Sequence, residues 1–415
     1  MRWMIRILFL LPLLAACSLE AQDWNEFRGL NGTGHSGFSN MPTRWSDESD
    51  NIRWKADLEG LGWSSPVCSK GRIWLTSADE TSGQLRVLIL DLDSGKLLKT
   101  VVVFEKKLGR IHKKNSHASP SALIDDEAVF VHYGEYGTAC LDLQGNVVWK
   151  KVFSYGHFHG PGGSPVVCGD RLILSCDGGT EQFLVALDKR TGETIWKTEK
   201  KHIHPDRFSG GKMKAIAFST PTLRKNRGSD EVVVCGADHI AGFDVASGRE
   251  NWWAAYDGYS IVPRPVFHGN MVFYASCYNS PVLYGLKIEG DGEITAKIAW
   301  QTRKGAPHNP TPLVVGKELY VVSDRGIGQC LDAETGKMHW QQRLGRGYSA
   351  SPIFVDGKIY FCDETGGTII IRPGTEYQEI ARNQVSGRTL ATPVPVEGGL
   401  LIRTDRSLLF VAGKK

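Results

Sequence analysis

A two-residue signature that returns eight times limits this chain to very few folds. A residue followed by proline stands at Ser65-Pro66, Ser119-Pro120, Ser164-Pro165, Thr220-Pro221, Arg264-Pro265, Thr311-Pro312, Ser351-Pro352 and Thr392-Pro393. All the leading residues are Ser or Thr except Arg264. The intervals are 54, 45, 56, 44, 47, 40 and 41 residues, the spacing of a four-stranded propeller blade.

The units share an internal order as well as a period. After the proline comes an apolar stretch, a turn, and a β-rich run such as 171–174 (Arg-Leu-Ile-Leu) or 318–322 (Glu-Leu-Tyr-Val-Val). A polar loop leads to a third strand and then to a tight turn bounded by Asp and Gly, as at Asp188 and Gly192, Asp244 and Gly248, and Asp332 and Gly336. There the carboxylate can accept from nearby amides and the glycine can take positive φ. A tryptophan follows four residues later at Trp149, Trp196, Trp252 and Trp340. With no long helical period anywhere, the pattern is an all-β meander. It predicts an eight-bladed β-propeller of four-stranded blades over residues 51–415, preceded by a linker at 17–50. Blades one, five and seven depart from the pattern near Leu98, Glu293 and Tyr377. The last unit, residues 390–412, has room for only three strands. Residues 51–56, with Trp54, read as the missing fourth strand, whose pairing would close the ring and remove an open edge.

The N-terminus reads as an export signal. Arg2 and Arg6 precede ten apolar residues, 7–16, too few to span a bilayer but suited to a signal peptide. Leu14-Ala15-Ala16-Cys17 resembles the bacterial lipobox, in which the cysteine is acylated after cleavage. That reading predicts a signal peptide at 1–16, a lipid on Cys17, and sorting to the outer membrane in view of Ser18. The alternative is cleavage after Ala21. Loss of two arginines and no acids would lower the formal charge from +4 to +2. Such a balance points to neither nucleic acid nor an anionic membrane surface as partner.

Of nine cysteines, Cys176, Cys235, Cys277 and Cys362 end the same predicted strand in different units, in a slot that holds Ser77, Ser323 or Thr404 elsewhere. An oxidising compartment permits disulfides, but a slot shared with Ser and Thr favours buried free thiols.

The segment 186–196, Ala-Leu-Asp-Lys-Arg-Thr-Gly-Glu-Thr-Ile-Trp, is similar to the tryptophan-docking motif A-x-D-x-x-T-G-x-x-x-W of the pyrroloquinoline-quinone-like repeat family. That family includes quinoprotein alcohol and glucose dehydrogenases and also non-enzymatic members, among them the lipoprotein subunit of the outer-membrane barrel-assembly machine. The opening 24–32, Trp-Asn-Glu-Phe-Arg-Gly-Leu-Asn-Gly, also resembles that of envelope propellers of planctomycete-like bacteria. In the dehydrogenases the resemblance implies a quinone held between a tryptophan and a disulfide of adjacent cysteines, with Ca²⁺ on Glu, Asn and Asp. This sequence has no Cys-Cys pair and no C-x-x-C-H haem motif. The non-enzymatic members are therefore the nearer likeness, and no cofactor is predicted. A quinone- or metal-dependent oxidoreductase is the alternative. The recurrent tryptophans are expected to pack blade against blade rather than to hold a cofactor.

In a four-stranded meander the fourth-to-first and second-to-third connections open on one face. Most of the twelve histidines lie in the fourth-to-first connections. His112, His157, His159, His204, Arg264, His308 and Arg388 are accordingly predicted to converge at the channel mouth and to take a small anionic ligand, strengthened as histidines protonate. Acids in the second-to-third loops, among them Asp238, Asp324, Asp363 and Asp405, read as turn residues accepting from backbone amides. His157-x-His159 and His202-x-His204 could alternatively offer imidazoles to a metal ion. The partner is expected to be an envelope protein or such a ligand, and the protein itself a monomer.

Overall fold

The computed structural model describes residues 23–126, 128–156, 158–204, 214–226, 228–276, 278, 280–290 and 294–413. Cys17, His157, Arg207, Lys212 and Cys277 lie outside the described residues.

Eight four-stranded sheets form the ring. Blade three shows the plan, with antiparallel strands Val166–Cys168, Arg171–Asp177, Gln182–Asp188 and Thr194–Glu199 running from the axis outward. The two middle strands of a blade are buried on both faces, because each face packs on a neighbouring blade. Arg72–Asp79, for instance, is buried at six consecutive positions. Only the outermost strand alternates, as Ile52–Asp57 does. The sequence records this difference, with near-continuous apolar runs in the middle strands and polar alternation outside.

Closure follows the predicted route. Ile52–Asp57 pairs antiparallel with Ser407–Ala412, Ile52 opposite Val411 and Trp54 opposite Phe410. The eighth blade thus joins the two ends of the chain. Arg403, fully buried, clasps blade eight to blade one by donating to Ser64 O at 2.8 Å and Thr76 O at 3.0 Å.

A recurring contact holds the blades together. Trp149, Trp196 and Trp300 each donate Nε1–H to a carbonyl in the next blade's turn, on Lys189, Val245 and Ala333, at 3.0–3.1 Å. Trp54 does the same to Leu92 O at 3.0 Å. In each case the acceptor stands three residues before the turn glycine, and the indole lies flat against that glycine. Gly95, Gly192, Gly248 and Gly336 have φ of +70 to +74°, and a Cβ on any of them would fall 2.5–2.7 Å from the indole. The glycine is therefore required twice, by the turn and by the tryptophan. Blade five departs less than expected. Its hairpin is longer, Val282–Glu289 to Thr295–Thr302, and this carries the docking residue out to Trp300. Blade one does lack a docking tryptophan on its fourth strand, and Ile89, Val101 and the stem of Lys99 fill the space at Gly145.

The stretch 23–50 is not a linker. Trp24, Arg28, Met41 and Trp45 are buried, and the segment crosses the ring on the side of the first-to-second turns. Trp24 bridges to Cys68 in blade one, and Asn25 O accepts from Ile124 N in blade two. His35–Ser36 adds a parallel strand to Ile353–Val355 of blade seven. Its apolar residues and turn glycines resemble a loop when read without a repeat partner, which hid its burial.

The seven described cysteines are free thiols. Burial pushes the Cys140 and Cys168 thiols up to about 11.

Candidate functional site

The Ser or Thr of the repeat signature forms a belt around the axis. Each lies two residues before the first residue of its innermost strand, and its backbone N–H donates to the hydroxyl of the next blade. Ser65 donates to Ser121 at 2.9 Å, Ser121 to Ser164 at 2.9 Å, and Ser164 to Thr220 at 2.9 Å. Arg264 donates to Thr311, Thr311 to Ser351, and Ser351 to Thr392, each at 3.0 Å. In blade two the belt residue is Ser121, not Ser119, because the proline there stands two residues early. The belt is interrupted twice, between Thr220 and Arg264, which has no hydroxyl to offer, and between Thr392 and Ser65, whose Oγ has no protein partner.

Above the belt, toward the fourth-to-first loops, lies a cavity of about 490 Å³. Its lining includes all seven belt hydroxyls, with Phe27 below and Trp63, Phe218, His112, His159, His308, Lys114, Asn115 and Asp324 around it. Phe27 belongs to the N-terminal segment, so the channel is stopped from beneath and the cavity is a blind cup. Two arginines anchor that stopper. Arg28, fully buried, donates to Pro312 O at 3.1 Å, to Gly32 O, Thr33 O and Pro352 O at 3.2 Å, and to Thr311 O at 3.4 Å. Arg264 donates to Phe27 O at 2.9 Å and pairs with Glu26 at 3.2 Å. Gly32 has φ +65° and lies so close to the Arg264 guanidinium that no Cβ would fit.

The predicted mouth residues divide accordingly. His112, His159 and His308 line the cup together, with the His112 and His159 rings 5.5 Å apart. Arg388 stands on the rim, exposed, over the Trp63 ring at 5.4 Å. His204 is on the same side of the ring but does not line the cup. Arg264 is the correction. It is buried below the belt and committed to Glu26 and Phe27, because its place in the repeat is the belt position rather than the loop before it.

Each of the even-numbered blades four, six and eight ties its mouth loop down in the same way. Asp238 accepts from His204 N at 3.1 Å, Asp324 from His308 N at 2.7 Å, and Asp405 from Arg388 N at 3.0 Å. The acids of the second-to-third loops thus hold the backbone of the fourth-to-first loops.

The charges lining the cup are balanced rather than cationic. Lys114 pairs with Glu364 at 2.8 Å and lies 3.7 Å from Asp324. Burial works against the Glu364 carboxylate, but Lys114 and Ser349 bond to it and hold its pKa below the usual range. Burial, then Lys113 and Lys114, lowers His112. Burial, then His112 and Arg110, lowers His159. Burial, with Lys114 and Arg325, lowers His308 against the pull of Asp324. All three imidazoles are therefore neutral at pH 7.

A profile of the PQQ-like repeat family described as outer membrane protein assembly factor BamB matches residues 85–287 and 286–390. The chain belongs to this family. Among solved structures, BamB from Moraxella catarrhalis is similar to it with a TM-score of 0.62 at 14% identity, over 86% of this chain and 98% of that one. A europium-containing methanol dehydrogenase is similar with a TM-score of 0.67 at 11% identity, over 92% and 89%. The quinohemoprotein alcohol dehydrogenase from Comamonas testosteroni gives 0.67 at 11%, over 95% and 81%. These likenesses are of fold. No curated protein matches in sequence.

The residues at the mouth do not fit the dehydrogenase cofactor. Among the described residues no three His, Cys, Asp or Glu side chains converge as a metal ion would require. The sequence also offers no adjacent cysteines to stack on a quinone.

Proposed function

We propose that this BamB-family propeller is an exported, non-catalytic binding or scaffold protein of the cell envelope. In this reading residues 1–16 are removed, a lipid on Cys17 holds a monomer at the outer membrane, and the mouth engages an envelope protein or a small ligand. The observation that carries it is the blind cup, whose charged groups are committed to binding the ring together. Asp324, Asp405, Glu364 and Lys114 spend their hydrogen bonds on backbone, on neighbouring side chains or on one another. The family description supports the envelope setting.

Anionic ligands would be favoured at this mouth only in acid, when His112, His159 and His308 gain charge. The tether has a direction too. Asp23 accepts from Ser69 at 2.6 Å at the first-to-second turn of blade one, on the side opposite the cup. Six residues span at most about 20 Å, so a lipid on Cys17 puts the membrane against the turn side and leaves the cup open to the periplasm.

The test is fractionation of the native host with crosslinking from the mouth, together with an absorption spectrum and metal analysis of the purified protein. Envelope fractionation, a specific crosslinked partner and a featureless visible spectrum support the reading. A bound quinone or stoichiometric metal with dye-linked alcohol oxidation overturns it.

A further inference from the structure

The belt leaves an unusual set of groups facing the cup. In each of its six bonds the hydroxyl oxygen accepts from the neighbouring blade's N–H. Its own O–H is thereby left to point into the lumen. Two further donors line the same space without a protein partner: Ser65 Oγ, on a residue 2% exposed, and Trp63 Nε1, on a residue 7% exposed. A buried donor without a partner is costly, so the cup is built to meet acceptors.

The charge balance says which acceptors. A carboxylate or phosphate entering a half-desolvated site needs a free cation. Lys114 is already bonded to Glu364, and the three lining imidazoles are neutral at pH 7. The walls are more apolar than polar, with Phe27 beneath and Phe218 at the side. The volume lies in the range of small-molecule sites, about 300–1,000 Å³. A ring of equatorial donors around an aromatic floor matches a molecule with hydroxyls on its edge and C–H groups on its faces.

We infer that the cup binds a neutral saccharide, either a free mono- or disaccharide or the terminal unit of a glycan chain. The inference rests on the mouth being a binding site, as proposed above, and names its ligand class. Because Phe27 closes the floor, a chain can enter only by its end. The sugar ring lies over Phe27, and the belt O–H groups donate to its oxygens.

The experiment is calorimetric titration of the full chain at pH 7.5 with a panel of neutral mono- to tetrasaccharides. Glucuronate and inorganic phosphate serve as anionic probes, and Ser65→Ala is the variant. Ser65 Oγ has no protein partner to lose, so this variant should melt as wild type does. It should bind the best saccharide about 3- to 10-fold more weakly, the value of one neutral hydrogen bond. Affinity that is constant with chain length identifies an end-binding site for glycans, and affinity confined to the small sugars identifies a free sugar; both outcomes uphold the inference. It is overturned if no neutral saccharide binds, if glucuronate or phosphate binds and the neutral sugars do not, or if Ser65→Ala binds as tightly as wild type. Failure in any of these ways, with envelope fractionation intact, removes the saccharide and leaves the scaffold reading standing. A bound quinone would remove both.

Discussion

Lys114 places its Nζ 2.8 Å from Oε1 of Glu364, although the first precedes blade two and the second belongs to blade seven, 250 residues later. The loop that carries Lys114 is fastened on other sides as well. Lys113 O accepts from Arg388 at 3.3 Å, and His112 N donates to His159 O at 3.2 Å. One loop therefore ties together the mouth loops of blades two, three, seven and eight. Both members of the ion pair are partly exposed, so its strength is modest. A double-mutant cycle of Lys114→Met and Glu364→Gln should give a coupling of about 1 kcal/mol that shrinks in 1 M salt. Chemical denaturation checks this, and a coupling of zero would mean that the strut carries no stability.

The docking glycines give a cleaner contrast. Gly192→Ala forces both a left-handed alanine and a Cβ 2.7 Å from the Trp149 indole, whereas Gly71→Ala at nearly the same φ meets nothing within 4 Å. Gly71→Ala should cost about 1 kcal/mol and Gly192→Ala about 2–4 kcal/mol. Equal losses by urea denaturation would show that turn strain alone fixes these glycines.

Acid should weaken the fold through His239. The ring is fully buried, its Nδ1 lies 2.8 Å from Ala237 O, and burial together with Lys200 depresses its pKa to about 3. The unfolded chain binds this proton near pH 6.5 and the folded chain does not. Stability is therefore complete above about pH 6.5 and falls as the pH drops toward 3, by an amount on the order of 5 kcal/mol over the whole range. Melting temperatures from pH 7 to pH 4 should fall accordingly, and His239→Asn should flatten that slope. An unchanged slope would place the acid sensitivity elsewhere.

The anchor has its own test. Cys17→Ala should move the protein from the membrane fraction to the soluble fraction. If the wild-type protein is itself soluble and begins near Gln22, there is no lipid.

The fold was legible because a repeat corrects its own ambiguities. A single Asp-to-Gly turn followed by Trp means little, but the same offsets at Trp149 and Trp196 specify the same contact. Where a blade varies the spacing, the signal weakens, as at Trp300, although the contact survives. Residues without a repeat partner were the hardest to place. The burial of Arg28 among five carbonyls depends on blades six and seven, some 280–320 residues away. Of the mouth residues, His112, His159 and His308 followed from strand direction alone. Arg264 failed because its place in the repeat is the belt position and not the loop that precedes it. The belt hydroxyls were visible in the sequence as the signature itself, but only their mutual bonds show that they face the lumen.

The pairing of Ile52 with Val411 also has a meaning in time. The segment that stops the channel and the strand that seals the ring are made before every blade, and the strand must wait for the last. At synthesis rates of about 5–20 residues per second, some 20–70 s pass before Ile52–Asp57 can find its mate. Throughout that interval an unpaired edge with its exposed tryptophan is open to other chains. A protein of this design is most exposed to wrong pairing while it is being made and delivered, and least once its last strand has arrived.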